Sequence, residues 1–281
     1  MAKVAFLGTG LLGSAIAEGM IRRGDTVTAW NRTVSKARAL ERLGASVADS
    51  PGAAAAGADR VHMTLSDDAV VDAVLADVLP RLNGAVVIDH TTTAPRQTAT
   101  RYARMREKGV RFVHAPVFMS PQMARDAVGI LMTSCPQPLW DEVREPLQRM
   151  TGDAWYLGDD PQRAAAYKIF GNSLLFVITA GVADVFAMAK DLGIPPGDAL
   201  TVFSKFQPCS VIKARGDKIV RRDFSATFEL TMARKDMRLM IESAGQQPLT
   251  VLPAIARKMD ETIERGHGAD DLAAIAAEVA G

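Results

Sequence analysis

Three groups of residues in this chain have types and spacings that can do chemistry. The first is Gly8-Thr9-Gly10-Leu11-Leu12-Gly13, set between an apolar run, Lys3–Leu7, and a helical pattern that continues to Arg23. Gly8 permits a tight turn out of a strand. Gly10 lacks a Cβ, so the backbone can approach an anion, and Gly13 lets a helix pack closely on a sheet. The free N–H groups and positive dipole end of that helix suit the pyrophosphate of a dinucleotide. The second group is Asn31-Arg32-Thr33, with Lys36 one turn later, at the end of a second apolar run, Thr26–Trp30. An acid at this point binds the ribose 2′-hydroxyl of NAD, whereas a neutral residue beside an arginine suits the 2′-phosphate of NADP. NADP(H) is therefore the expected cofactor; the alternative is that Arg32 is only a solvated surface charge. The third group is Lys168 and Asn172, four residues apart and so on one face of a helix. Most helical lysines are simply solvated, so its meaning depends on what that helix faces.

The elements that must position these groups follow from the apolar pattern. After the opening strand–turn–helix–strand unit, residues 60–65, 85–88, 110–113, 129–133 and 154–157 read as strands. Residues 67–82 and 95–108 read as helices, the latter with an exposed basic face. The alternation predicts an α/β Rossmann-type N-terminal domain over residues 1–160, with a mostly parallel sheet and helices on both faces. Ligands of such sheets sit beyond the carboxyl ends of the strands, which singles out Leu65-Ser66 and the loop Asp89-His90-Thr91-Thr92-Thr93. No strand pattern is recognisable after residue 160. One long inter-domain helix, 161–192, starts at Asp160-Pro161, stops at Gly193 and Pro195-Pro196, and would span about 45 Å. It leads to an all-α C-terminal domain, 193–281, with helical patterns at 197–206, 227–244, 251–265 and 269–279. That domain is small and apolar, which predicts a homodimer. A helix crossing between two domains faces the cleft where ligands bind, which raises the interest of Lys168 and Asn172.

The bulk properties narrow the class. The chain has 281 residues, 48% hydrophobic and 23% charged, with a net charge of +1. These values fit an ordinary soluble protein, and the lack of a sustained basic run gives no reason to expect a nucleic-acid partner. Two cysteines, Cys135 and Cys209, form no recognisable framework, which fits a reducing cytoplasm. Four scattered histidines have no metal-ligand spacing, so no metal is expected. Lys3 and the apolar run after it resemble a signal peptide, but Glu18 and the strand–turn–helix pattern argue against one. Leu174–Ala189 is strongly apolar yet short for a membrane span and interrupted by Asp184, so a buried core helix is expected and no membrane.

Taken together, these segments resemble the β-hydroxyacid dehydrogenase family, which includes 3-hydroxyisobutyrate dehydrogenase, glyoxylate/succinic semialdehyde reductases and the NADP-binding domain of 6-phosphogluconate dehydrogenase type. The resemblance runs through Phe6–Gly13, Val87–Pro95 in place of D-x-S-T-x-x-P, Ala115-Pro116-Val117, Lys168-x-x-x-Asn172 and Lys235-Asp236. It implies that Lys168 is the catalytic lysine, giving a proton to a carbonyl oxygen in reduction and taking one from the hydroxyl in oxidation. Asn172 would orient that lysine or the substrate oxygen. Lys235 would reach or close over the cofactor, and Thr92 and Leu65 would line the nicotinamide ribose. Partial burial and a nearby positive charge would lower the lysine's pKa toward neutrality, where acid–base work is efficient.

The departures from the family pattern bear on the substrate. The family's D-A-P-V-S-G segment reads His114-Ala115-Pro116-Val117-Phe118-Met119-Ser120-Pro121-Gln122 here. Phe118 and Met119 replace the Ser-Gly pair that cradles a substrate carboxylate. Either they pack into the core or they form an apolar wall, with Ser120 and Gln122 left as polar handles. His114 stands where the family has Asp and reads as structural. Phe203, Phe206, Gln207 and Arg215 fall where the family supplies a substrate lid. The leading expectation is an NADPH-dependent reductase of an aldehyde or ketone, or a dehydrogenase of the corresponding β-hydroxyacid or alcohol, with a more apolar pocket than usual. The alternatives are an imine reductase, whose long helix more often carries Asp or Tyr than Lys, and a non-catalytic NADP-binding protein. Tyr167 adjoins Lys168 but lies about 100° around the helix.

Overall fold

The computed structural model describes residues 1–279, so the last two positions of the expected 193–281 domain lie outside the described residues. Six strands, β1 (Lys3–Leu7), β2 (Thr26–Trp30), β3 (Ser46–Val47), β4 (Arg60–Met63), β5 (Val86–Asp89) and β6 (Phe112–His114), form one sheet in the order β3-β2-β1-β4-β5-β6. Every pairing in it is parallel. Parallel strands covered on both faces bury both sets of side chains. Accordingly, Val4 and Phe6 of β1 enter one apolar cluster with Ile16 and Met20, while Ala5 and Leu7 enter another with Val61, Val71 and Leu75. This is the Rossmann-type α/β domain, and it is followed by a long helix, Arg163–Asp191, and a helical C-terminal region.

The remaining strands form a separate sheet. β7 (Val117–Phe118) runs antiparallel to β8 (Ile130–Thr133), which is parallel to β9 (Asp153–Tyr156). The single mostly parallel sheet expected from the sequence is thus two sheets. The break falls at Ala115-Pro116, where proline has no N–H to continue a ladder; the Pro116 carbonyl instead accepts from the Met132 N–H.

The chain divides into two compact units, residues 1–172 and the residues from Ser173 onward. In the second unit, Leu230–Ser243 and Leu252–Thr262 pack through Leu230, Ala233, Met237, Ala256 and Met259. Asp184 is buried there, and its carboxylate accepts the backbone N–H groups of Thr250, Val251 and Leu252 at the start of that second helix. Burial works against its charge, but these donors outweigh that and hold its pKa below the usual carboxylate value.

Several sequence expectations need correction. The segment Leu174–Ala189 is not a buried core helix within one chain: Leu175, Phe176, Val177 and Ile178 are about half or more exposed. Periodicity could not reveal this, because apolar residues surround the whole helix and select no inward face. By length and composition this is the one helix among the described residues able to cross a membrane. The helix Pro95–Glu107 does not expose all its basic residues either. Arg101 is 1% exposed and pairs with Asp68 and Asp72 at 2.8 and 2.7 Å. Residues 197–206 form two short helices, Pro196–Leu200 and Val202–Lys205, and 269–279 contains only a 3₁₀ stretch, Leu272–Ala276. The helix Cys209–Arg221 was not expected; it contains Gly216 and buries no residue, so its sequence shows little of a core-facing pattern.

Candidate functional site

The reversal of strand order between β1 and β4 opens a crevice at their carboxyl ends, the place where open α/β sheets bind ligands. Gly8 leaves β1 with φ +95°, and a Cβ there would collide with the carbonyl oxygen of Thr64 just past β4. A Cβ on Gly13 would strike the carbonyl of Gly8, so close helix–turn packing excludes any side chain. A Cβ on Gly10 would meet nothing within 4 Å: this glycine borders open space. The three glycines thus have two packing roles and one role facing a ligand space. The helix Leu11–Arg22 begins immediately after them, and no side chain caps its N-terminus. Its first N–H groups remain available to an anion.

A cleft of about 710 Å³ lies over this turn. Gly8, Gly10, Leu11, Leu12, Gly13, Asn31, Arg32, Thr33, Lys36, Leu65 and Ser66 all border it. None of its lining residues is acidic. Thr9 is buried behind the turn, where its N–H donates to Asn31 Oδ1 at 3.0 Å; Asn31 Nδ2 donates in turn to the Thr33 carbonyl. The donor set, the uncapped helix start and the open face at Gly10 fit a dinucleotide. Sequence reasoning missed Trp30, Pro51, Thr64 and Val70, which also border the cleft. Their positions at strand ends and helix starts are the only local signal for them. Thr91, rather than Thr92, ties two of the loops together: its hydroxyl accepts the Leu65 N–H, and its own N–H donates to Asp89. Thr92 is exposed.

Lys168 and Asn172 both lie half-buried on the long helix, one turn apart. The Lys168 ammonium sits 4.0 Å from the centre of the Phe118 ring. Burial lowers its pKa below the ordinary lysine value. Tyr167 packs on the cluster of Met132, Leu157 and Ala164 and edge-on against Trp155, with ring centres 5.4 Å apart. Phe118 is therefore neither a plain core residue nor a plain cleft wall. It packs beside Met132, Leu157 and Ala164 and presents a ring face to the lysine.

The other anticipated residues are deployed differently. Met119 packs against the core of the first unit, close to Gly129. Ser120 caps the helix Pro121–Arg125 through the Met123 N–H, and Gln122 donates to Asp126 at 2.9 Å, so both polar handles are used locally. In the second unit, Lys235 lies on Leu230–Ser243 with its ammonium 2.7 Å from Asp236, and Phe206 is exposed. Arg215, expected in a lid, is held by the buried Asp271, which also accepts from Thr227. His114 is buried 3.7 Å from Asp89, in line with a structural role. Cys135 is buried and its thiol pushed up to about 12, which makes it inert.

Fold and cleft together define a dinucleotide-binding α/β protein. Residues 3–158 match the NAD-binding domain of 6-phosphogluconate dehydrogenase, and residues 163–279 match the NAD-binding domain of NADP-dependent 3-hydroxyisobutyrate dehydrogenase. The chain belongs to this family of NAD(P)-dependent oxidoreductases, the β-hydroxyacid dehydrogenases. It is 28% identical over 280 residues to glyoxylate/succinic semialdehyde reductase 2 of Arabidopsis thaliana, covering 95% of this chain and 76% of that one. It is 26% identical to the cytokine-like nuclear factor N-PAC of Anopheles gambiae, covering 97% of this chain but 49% of N-PAC, about half its length. Among solved structures, the reductive aminase of Aspergillus terreus in complex with NADPH and ethyl levulinate superposes with a TM-score of 0.90. Its identity is 22%, over 99% of both chains, and this likeness shows the fold.

Proposed function

We propose that the protein is an NADPH-dependent reductase of an aldehyde or ketone, also able to oxidise the corresponding alcohol or β-hydroxyacid, with Lys168 as its acid–base group. The observation that carries this reading is Lys168 itself: an ammonium half-buried on an aromatic face, its pKa lowered by burial, one helical turn from Asn172. The bound nicotinamide supplies the hydride. Lys168 holds the proton that the carbonyl oxygen takes up in reduction and accepts it in oxidation. Asn172 orients that oxygen or the ammonium. Gly10 and the helix start receive the pyrophosphate, while Arg32, Thr33 and Lys36 receive a 2′-phosphate. Preference for NADPH over NADH is supported by two cationic residues and no acidic one among those lining the cleft.

A second reading, an imine reductase, is favoured by one observation. Phe118 supplies an apolar face where a carboxylate cradle would need small polar groups. Consumption of NADPH and NADH should be followed with aldehydes, ketones, cyclic imines and hydroxyacids, for the native protein and for Lys168→Ala. Carbonyl turnover lost in the variant supports the first reading. Imine turnover that survives in it supports the second. Binding of NADPH without turnover of any compound makes the protein a non-catalytic cofactor binder.

We further propose a cytoplasmic homodimer with neither a nucleic-acid nor a membrane partner. The apolar stretch through Leu175, Phe176, Val177 and Ile178 supports coverage by a second copy. Light scattering at micromolar concentration tests this; a monomer refutes it.

A further inference from the structure

We propose that Phe118 is a positioning residue, and that Gly171 is the socket that makes it one: the ring seats against the helix at Gly171 and holds the Lys168 ammonium over its face. The inference rests on the reading of Lys168 as the acid–base group and assigns what sets its place.

Three observations meet at this point. The ammonium lies 4.0 Å from the ring centre, within the range where a cation is attracted to an aromatic face. A Cβ added at Gly171 would run into the far edge of the same ring, so no other residue at position 171 leaves the ring where it is. Lys168, Gly171 and Asn172 share one helix, and Lys168 and Gly171 lie three residues apart on adjoining turns. The hollow at Gly171, the ring from β7 and the lysine therefore form one stack. Among the described residues no carboxylate pairs with the Lys168 ammonium, and the ring is what holds it in position. Burial against this apolar surface also keeps the lysine's pKa low.

The stack predicts a non-additive pattern. Gly171→Ala should displace the ring and act like Phe118→Leu, and the double variant should be no worse than either single one, because a leucine leaves room for the methyl group. Phe118→Tyr adds a hydroxyl to the ring carbon that abuts Gly171, so it too should displace the ring and act like Gly171→Ala. Two readouts separate positioning from folding. The first is NMR of lysines methylated with a carbon-13 label, in the whole protein with NADPH present. The Lys168 signal, identified by its loss in Lys168→Ala, should be shifted upfield by the ring and titrate below the other lysines. In Phe118→Leu and Gly171→Ala the upfield shift should be lost. The second is turnover, expected to fall about tenfold in both single variants while NADPH affinity stays unchanged. An unshifted Lys168 signal, or one indifferent to Phe118→Leu, overturns the proposal, as does strict additivity of the two substitutions. If Lys168→Ala keeps full turnover, the acid–base reading fails instead, and the NMR result still decides the stack.

Discussion

The side-chain oxygen of Asn31 accepts the backbone N–H of Thr9 at 3.0 Å, so the end of β2 is stitched to the glycine turn that leaves β1. Asn31 is consequently more than the absence of an acid. It ties the turn and remains neutral, and under the proposed NADPH preference discrimination falls to Arg32 and Lys36. Arg32→Ala should weaken NADPH binding about tenfold or more and leave NADH binding within about twofold, since a guanidinium–phosphate pair is lost only with NADPH. Asn31→Asp keeps the acceptor for Thr9 but adds a charge that repels the 2′-phosphate, so it should shift preference toward NADH. Fluorescence titration with both cofactors checks each outcome.

Lys168 predicts a pH dependence whose sign reverses with direction. Its pKa is lowered by burial. In the proposed role of Lys168, reduction uses the protonated form, so its rate should fall as pH rises through that lowered value, at a pH below the ordinary lysine range. Oxidation requires the neutral amine, and its rate should rise over the same window. Lys168→Ala should lose about 10²–10⁴-fold in turnover and abolish both limbs. Initial rates against pH in the two directions provide the measurement.

Two buried histidines should make the fold acid-sensitive. His90 donates through Nδ1 to the Ala115 carbonyl, which leaves its Nε2 to accept from His62 Nδ1 at 3.0 Å. His62 Nε2 then remains bare and buried. Burial lowers the pKa of both rings, well below 6.5 for His62, and neighbouring His90 and Arg60 add to this. Because the folded values lie below the unfolded ones, the native state binds fewer protons, and stability is lost as pH falls below about 6.5. The loss should approach about 1.4 kcal/mol per pH unit for His62, with a further contribution from His90. Urea midpoints between pH 7.5 and 5 should fall in the native protein. They should fall less steeply in His62→Phe, which replaces the bare ring with one that needs no partner.

Arg101 should be worth more than its place on a basic helix suggests. Burial opposes its charge, but Asp72 and Asp68 outweigh that and raise its pKa. Asp68 also accepts the Ala94 N–H at the end of the Asp89–Thr93 loop. Arg101→Ala leaves two carboxylates facing a void. Because both are partly solvated, the expected cost is about 2–3 kcal/mol of unfolding free energy, less than for a fully buried pair. Urea denaturation measures it, and Arg104→Ala, on the exposed side of Asp72, should cost well under 1 kcal/mol.

Much of this protein was legible along the chain because the relevant physics is local. The glycine turn, the limits of β1 and β2, the long helix and the replacement of an acid by Asn31 and Arg32 depend on residues within a few positions of one another. The split of the sheet at Pro116 and the two-residue strands β3 and β7 were not legible, because such short pairings have no periodicity to read. Nor were the uses of Ser120 and Gln122, which close bonds inside their own helix.

By itself, the sequence determined the dinucleotide fold, the cradle at Gly8–Gly13, the polar and basic edge that argues for NADP, and the alignment of Lys168 with Asn172. Only the tertiary structure decided what those groups touch. Parallel register sets β4, β5 and β6 side by side and so joins His62, His90 and His114, which lie far apart in sequence. Strand β7 carries Phe118 onto Gly171 beneath Lys168, and the fold of the second unit turns the N–H groups at Thr250–Leu252 toward Asp184. The physical reason is the same in each case: backbone propensity and apolar period act over a few residues, whereas contact between distant side chains is set by strand register and packing.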